Sequence, residues 1–229
     1  MKSLLCLQDM SFAYPGQAPL LRNINLCLHP GEAAVLTGAS GSGKSTLCAV
    51  ISGIIPAHTA GRVHGAVLLA GKPLHTMRLP EVATRVGLLF QNPDTQLFSI
   101  TVEDELAFAP ENLCLDRLEI ARRVDRALDI TGIRHLRHAR ISRLSGGEKQ
   151  LTALAAVLTL DAQLLLLDEP LAHLDQQAAR RVISLAADLR RCGKAILWTA
   201  HRADSFPRAD RCFTLRQGTL SPVAEGALS

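Results

Sequence analysis

Nothing in the cysteine pattern of this chain suggests a covalent or metal-bound framework. Its six cysteines, Cys6, Cys27, Cys48, Cys114, Cys192 and Cys212, form no C-x-x-C pair and stand far apart. That spacing indicates neither a zinc ribbon nor a disulfide scaffold, and it suits a reducing cytosol. Long hydrophobic runs are missing too. Asp161 interrupts the stretch from Leu151 to Leu167, so no segment reaches the roughly eighteen apolar residues needed to span a bilayer. The opening Met1-Lys-Ser-Leu-Leu-Cys6 is too short an apolar run for a signal peptide, and polar Gln8 and Asp9 follow at once. Aromatic residues make up 3% of the chain, and none lies in the 27-residue segment where Arg117, Arg122, Arg123, Arg126, Arg134, Arg137, Arg140 and Arg143 gather. Asp116, Glu119, Asp125 and Asp129 accompany these arginines. A solvated, salt-bridged helical face is therefore expected, rather than a nucleic-acid surface with rings for bases to stack on.

What is present suits one compact domain with a lobe inserted into it: 229 residues, 48% hydrophobic, 20% charged, with a net charge of +4. β-rich runs cover Leu4 to Met10 and Leu20 to Leu28, with the turn-forming Tyr14-Pro15-Gly16 between them. Ala33 to Thr37 reads as a buried strand. A helix then runs to about Ile54, stopped by Pro56. Further strands are expected at Ala66 to Leu69, Val86 to Phe90, Leu164 to Leu167 and Ala195 to Thr199. Residues 100 to 143 look mainly helical, with Ile120, Val124, Ala127 and Leu128 at helical spacing. More helices run from about Glu148 to Leu160 and from Gln176 to Arg191, the latter ended by Gly193. A hairpin closes around Arg216-Gln-Gly218.

Three motifs carry chemistry. Gly38-Ala-Ser-Gly-Ser-Gly-Lys-Ser45 matches G-x-x-x-x-G-K-[ST] at every fixed position, between a strand and a helix as the motif requires. Its glycines let successive N–H groups turn inward around a phosphate chain, Lys44 reaches the β- and γ-phosphates, and the Ser45 hydroxyl meets Mg²⁺. Asp168 and Glu169 follow four leucines, a buried strand that delivers two carboxylates to the edge where α/β folds bind ligands. Asp168 suits Mg²⁺, and Glu169 is placed to polarise an attacking water. Leu144-Ser-Gly-Gly-Glu-Lys-Gln150 contains a capping box, Ser145 with Glu148, which opens a helix whose N–H groups suit an anion.

Together these residues resemble the nucleotide-binding subunit of an ATP-binding cassette (ABC) transporter, over nearly the whole chain. Small-molecule kinases and GTPases share the phosphate loop but lack the LSGGEKQ signature. The resemblance implies an α/β fold: a P-loop core with a parallel sheet, an N-terminal antiparallel β subdomain and an inserted α-helical lobe at about 93 to 160, all within one domain over 1 to 229. It implies ATP and Mg²⁺ as ligands. ATP is to be held by Gly38, Ala39, Ser40, Gly41, Ser42, Gly43, Lys44, Ser45 and Thr46, with Tyr14 stacking on adenine; Ser45, Gln91 and Asp168 are to serve the metal. Glu169, His201, Gln91 and Lys44 are implied as the hydrolytic group, with His201 contacting the γ-phosphate. Two such subunits would bind head to tail, so Ser145, Gly146 and Gly147 complete the partner's site, and Asp175 lies in the loop that crosses to it.

The segment Gln91-Asn-Pro-Asp-Thr-Gln-Leu-Phe98, continued by Thr101 to Phe108, is similar to the corresponding stretch of energy-coupling-factor importers, which take up vitamins, cobalt or nickel. In that family it lies where a membrane subunit docks, with Leu97 and Phe98 as apolar anchors or, alternatively, as part of the lobe's own core. The implied partners are a second ATPase, identical or homologous, and integral membrane subunits, at the cytoplasmic face of the membrane; no nucleic acid is expected. Other transporters, and soluble ABC proteins acting on ribosomes or DNA, are the alternative readings. Leu151, Leu171, His173 and Arg202 depart from commoner residues of the family, and the early end of the chain predicts no regulatory C-terminal domain.

Overall fold

Two sheets of opposite character form the frame. The computed structural model describes residues 3–202, 206 and 209–223. Strands β1 (Leu5–Ala13), β2 (Leu21–Leu28), β4 (Arg62–Leu69) and β5 (Lys72–Pro73) make an antiparallel sheet in the order β2-β1-β4-β5. Six more strands form the order β10-β9-β3-β8-β7-β6: β3 (Ala33–Thr37), β6 (Val86–Leu89), β7 (Leu164–Asp168), β8 (Ala195–Ala200), β9 (Arg211–Arg216) and β10 (Thr219–Pro222). All neighbours are parallel except the closing hairpin of β9 and β10. Every residue of β3, β7 and β8 is buried, as expected of central parallel strands covered on both faces.

The period of two in those strands divides the core. Val35, Leu165, Leu167 and Trp198 face one cluster with helices α4 (Val102–Asn112), α5 (Arg117–Thr131), α6 (Gly146–Thr159) and α7 (Gln176–Arg191). Leu36, Leu164, Leu166 and Leu197 face the other, shared with the antiparallel sheet and with α1 (Lys44–Ile51). Leu151 lies in the helical cluster, 8% exposed. An aliphatic side chain there is ordinary core packing.

Two expectations are corrected. The predicted helix to Ile54, stopped by Pro56, ends earlier: Gly53 turns left-handed at φ 76° right after α1, and Pro56 falls inside the separate four-residue helix α2 (Ile54–Ala57). The cysteine spacing indicates no disulfide, yet Cys6 and Cys27 are direct partners across β1 and β2, their Cα atoms are 4.1 Å apart, and the structure joins them. Hairpin register, not sequence spacing, brings them opposite each other. Cys48, Cys114, Cys192 and Cys212 are free thiols.

Helix α5 buries Val124, Ala127 and Leu128, is capped by Asp116 and is closed by Gly132 at φ 74°. Two of its arginines, and two beyond its end, are paired. Arg122 and Arg123 both hold Glu119 at 2.7 Å and draw its carboxyl down to about 2, while Arg137 joins Glu103 to Asp125 and Arg134 meets Asp125 and Asp129. Such exposed pairs fix side-chain geometry more than they stabilise the fold. The short helix α3 (Leu79–Ala83) precedes β6.

Candidate active site

The phosphate loop leaves the end of β3 and enters α1. Gly43 holds φ 105°, and a Cβ there would meet Leu21 Cδ2 at 2.9 Å, so the loop is tight against β2 on that side. Gly41, at φ 75°, has nothing within 4 Å of where its Cβ would be. The loop's other side is open. Lys44, only 5% exposed, donates to the carbonyls of Gly38 and Ala39 at 2.9 and 3.3 Å and stands 3.6 Å from Glu169 Oε1. Ser42 Oγ is buried with no hydrogen-bond partner, and Ser45 is exposed. Tyr14 packs edge-on against Phe12 at 4.8 Å, and its hydroxyl lies 3.3 Å from Thr46 Oγ1 in the first turn of α1.

Glu169 gathers the other candidates. At the end of β7 its backbone takes φ 47°, a conformation that costs a non-glycine residue free energy and that cores impose at functional bends. Oε2 accepts from Gln91 Nε2 at 2.9 Å and lies 3.1 Å from His201 Nε2. Lys44, Gln91 and His201 thus arrive from three segments at one carboxylate. Asp168, 4% exposed, accepts from Thr199 Oγ1 at 2.5 Å, and the same hydroxyl accepts from the Glu169 N–H at 3.0 Å. Sequence reading missed Thr199. Its signal was available in register, because Asp168 and Thr199 pair across β7 and β8.

The residues fit a nucleotide with a divalent cation. Among the described residues no cluster of three or more His, Cys, Asp or Glu could hold a metal by itself. An exposed hydroxyl and one buried carboxylate beside an open anion cradle match an ion that takes its remaining ligands from water and phosphate oxygens.

The model of the ABC transporter family matches residues 21–172. An energy-coupling factor transporter ATP-binding protein, EcfA, from Methanosarcina acetivorans is 38% identical over 97% of this chain and 79% of its own length. The chain belongs to the ABC transporter family. Two further Methanosarcina relatives described as ABC transporter ATP-binding proteins are 39% and 38% identical, and the chain spans only 35% and 38% of their lengths. Among solved structures, cbiO1 from Clostridium perfringens, part of the ABC transporter complex cbiONQ, superposes with a TM-score of 0.83 at 32% identity, covering 96% of this chain and 88% of that one. The fold is that of an ABC ATPase, an antiparallel sheet and a mixed sheet with helices.

In this ABC chain the signature stands apart from the phosphate loop. Ser145 caps α6 by accepting from the Glu148 N–H at 3.3 Å, while Glu148 Oε2 accepts from the Ser145 N–H at 2.7 Å. That N–H holds the Glu148 carboxyl below the usual range. Ser145 and Gly146 are exposed. Gly147 backs onto the loop after Glu169: a Cβ there would lie 3.2 Å from the His173 carbonyl oxygen, and one on Gly146 would lie 3.6 Å from His173 Cβ. His173 itself takes φ 63°. Asp175 caps α7, accepting from the Ala178 N–H at 2.7 Å. The described hydrogen bonds and ion pairs join the phosphate loop to Glu169 and to Tyr14, and none joins it to residues 145–147.

Proposed function

We propose that this chain hydrolyses ATP as the peripheral, cytoplasmic-face subunit of an ABC importer of the energy-coupling-factor type, for vitamins or transition-metal ions. The convergence of Lys44, Gln91 and His201 on Glu169 carries the hydrolytic reading. Lys44 currently satisfies its charge on its own loop and on Glu169; a nucleotide's terminal phosphates offer it a stronger partner, and its departure frees Glu169 Oε1. Glu169 then accepts a proton from a water whose oxygen attacks the γ-phosphorus, as the bond to the bridging oxygen breaks and ADP leaves with that electron pair. Gln91 orients the water and His201 donates to a γ-phosphate oxygen. Thr199 fixes the direction of the Asp168 side chain and holds the backbone N–H of Glu169. Ser45, Asp168 and Gln91 would hold Mg²⁺, which neutralises charge developing on the phosphate oxygens. Tyr14 supplies a ring for adenine beside Thr46.

Ser145, Gly146 and Gly147 serve a second cassette. Among the described residues the helix N-terminus they form shares no hydrogen bond or ion pair with the chain's own cradle, and N–H groups with a positive dipole end suit a partner's γ-phosphate. The importer type rests on the likeness to EcfA and cbiO1 and on the segment after Gln91. There Phe98 is 63% exposed, stacked edge-on to Phe108 at 4.6 Å, and Glu105, 5% exposed, accepts from the N–H groups of Phe98 and Ser99 at 3.0 and 2.8 Å. An apolar ring displayed on a pinned backbone suits an anchor for a membrane subunit. Leu97 instead packs partly against the helical core.

Purification of the tagged chain from membranes in mild detergent, with companions identified by mass spectrometry, tests the assembly. A second ATPase and an integral membrane protein are expected. Recovery without any membrane protein overturns the transport reading.

A further inference from the structure

Lys149 and Asp94 stand 55 residues apart in the chain, yet Lys149 Nζ lies 2.6 Å from Asp94 Oδ1. The pair joins α6 to the short helical turn Pro93–Thr95, which follows Gln91. Among the described residues no other hydrogen bond or ion pair connects residues 91–98 to α6. Neither residue is explained by its own element. Lys149 is the fourth residue of α6, close to the end whose free N–H groups disfavour a cation. The Asp94 side chain is 64% exposed, and an exposed pair stabilises a fold by only about 0–1 kcal/mol. What the contact fixes is geometry.

The turn that carries Asp94 is itself well held. Asn92 Oδ1 accepts from the Asp94 N–H at 3.0 Å. Gln96 ties the same turn to β6, accepting from the Phe90 N–H at 2.9 Å and donating to the Leu88 carbonyl at 3.2 Å. The start of α6 has fewer such ties: Gly146 and Gly147 have no side chains, and the Ser145 hydroxyl bonds Glu148 of the same helix. The Lys149 N–H donates to the Ser145 carbonyl at 2.9 Å, so the residue that reaches Asp94 is bonded directly to the signature serine. We propose that Lys149 and Asp94 are positioning residues for the signature. Their pair pins the first turn of α6 to the end of β6, so that Ser145, Gly146 and Gly147 keep a fixed place relative to Gln91. The inference rests on the reading of those three residues as half of a companion's site, and Lys149 acts in it through Asp94, not by touching a nucleotide.

Amide hydrogen exchange and ATPase kinetics on the same variants test this. In the full chain, Asp94→Asn should speed exchange at the first intrahelical amides of α6, Lys149 to Thr152, by about two- to fivefold, the span of a surface pair. In the assembled complex, Asp94→Asn and Lys149→Gln should each lower kcat by about threefold or more and leave KM for ATP unchanged. The double variant should lose no more than either single one. Asp94→Lys combined with Lys149→Asp restores the pair with its charges exchanged and should recover both readouts. A loss confined to Lys149→Gln that the exchanged pair does not recover assigns Lys149 to the nucleotide and overturns the proposal. So does unchanged exchange in Asp94→Asn, unchanged kcat in both single variants, or losses that multiply in the double one. If the unsubstituted complex hydrolyses no ATP, the ATPase reading fails by itself, and hydrogen exchange still decides whether the pair pins α6.

Discussion

The side-chain amide of Gln91 donates to Glu169 Oε2 at 2.9 Å, joining the segment that leads into the helices to the strand end that carries the proposed base. A base held in this way is oriented before substrate arrives, and its removal should affect turnover more than binding. Glu169→Gln should lower phosphate release by about 10²–10⁴-fold, the usual share of a positioned acid or base, and leave ATP bound between two cassettes. Phosphate release and size-exclusion chromatography with ATP read both. Unchanged hydrolysis in the assembled complex removes Glu169 from its role.

Lys44→Ala should act on affinity. A hydrogen bond to a charged group contributes about 1.5–3 kcal/mol, so nucleotide affinity should fall by about ten- to a hundredfold. Titration with ATP measures it; the variant should keep its fold, because the partners of Lys44 in the unliganded chain include two carbonyls that water can serve.

Thr199→Val keeps the shape of β8 but removes the donor to Asp168 and the acceptor for the Glu169 N–H. Stability should drop by about 1–3 kcal/mol through the unpaired groups, and turnover should drop further than that loss explains. Thr199→Ser should restore both. Denaturant unfolding and ATPase rates, measured on the same samples, separate the two effects.

The capping box gives a pH dependence of known sign. The Ser145 N–H holds the Glu148 carboxyl below its ordinary value, so its contribution is complete above the unfolded value of about 4.3 and is lost as pH falls through the lower folded value. Glu148→Ala should cost about 0.3–1 kcal/mol at neutral pH. The gap between the two chains should close on acidification below about pH 4.3. Unfolding midpoints at stepped pH check it.

Complementation tests the shared site. Lys44→Ala spoils the cradle and leaves the signature; Ser145→Arg spoils the signature and leaves the cradle. Each alone should be inactive, and a mixture should regain hydrolysis if two copies of this chain pair. Pairing with a homologue instead keeps the two variants in separate complexes, and mixing them then restores nothing.

Much of the frame was legible because it depends on local pattern. The four leucines before Asp168, the glycine spacing of 38 to 45 and the Ser145–Glu148 box each fix an element from within a few residues. What stayed hidden depends on partners distant in sequence. Cys6 meets Cys27 only through hairpin register, Thr199 meets Asp168 only once β7 and β8 lie side by side, and Glu105 turns inward to hold Phe98 and Ser99. The end of α1 was misplaced because a proline is a more obvious stop than a glycine, yet Gly53 comes first in the chain and turns left-handed.

The contact of His173 with Gly146 and Gly147 gives each chain two faces on one hinge plate. The plate starts at Glu169, whose carbonyl accepts from the Ala172 N–H at 3.0 Å, and ends at the cap of α7. Only three residues separate Glu169 from His173, so the proposed base and the signature glycines are neighbours through one short turn of chain rather than across the fold.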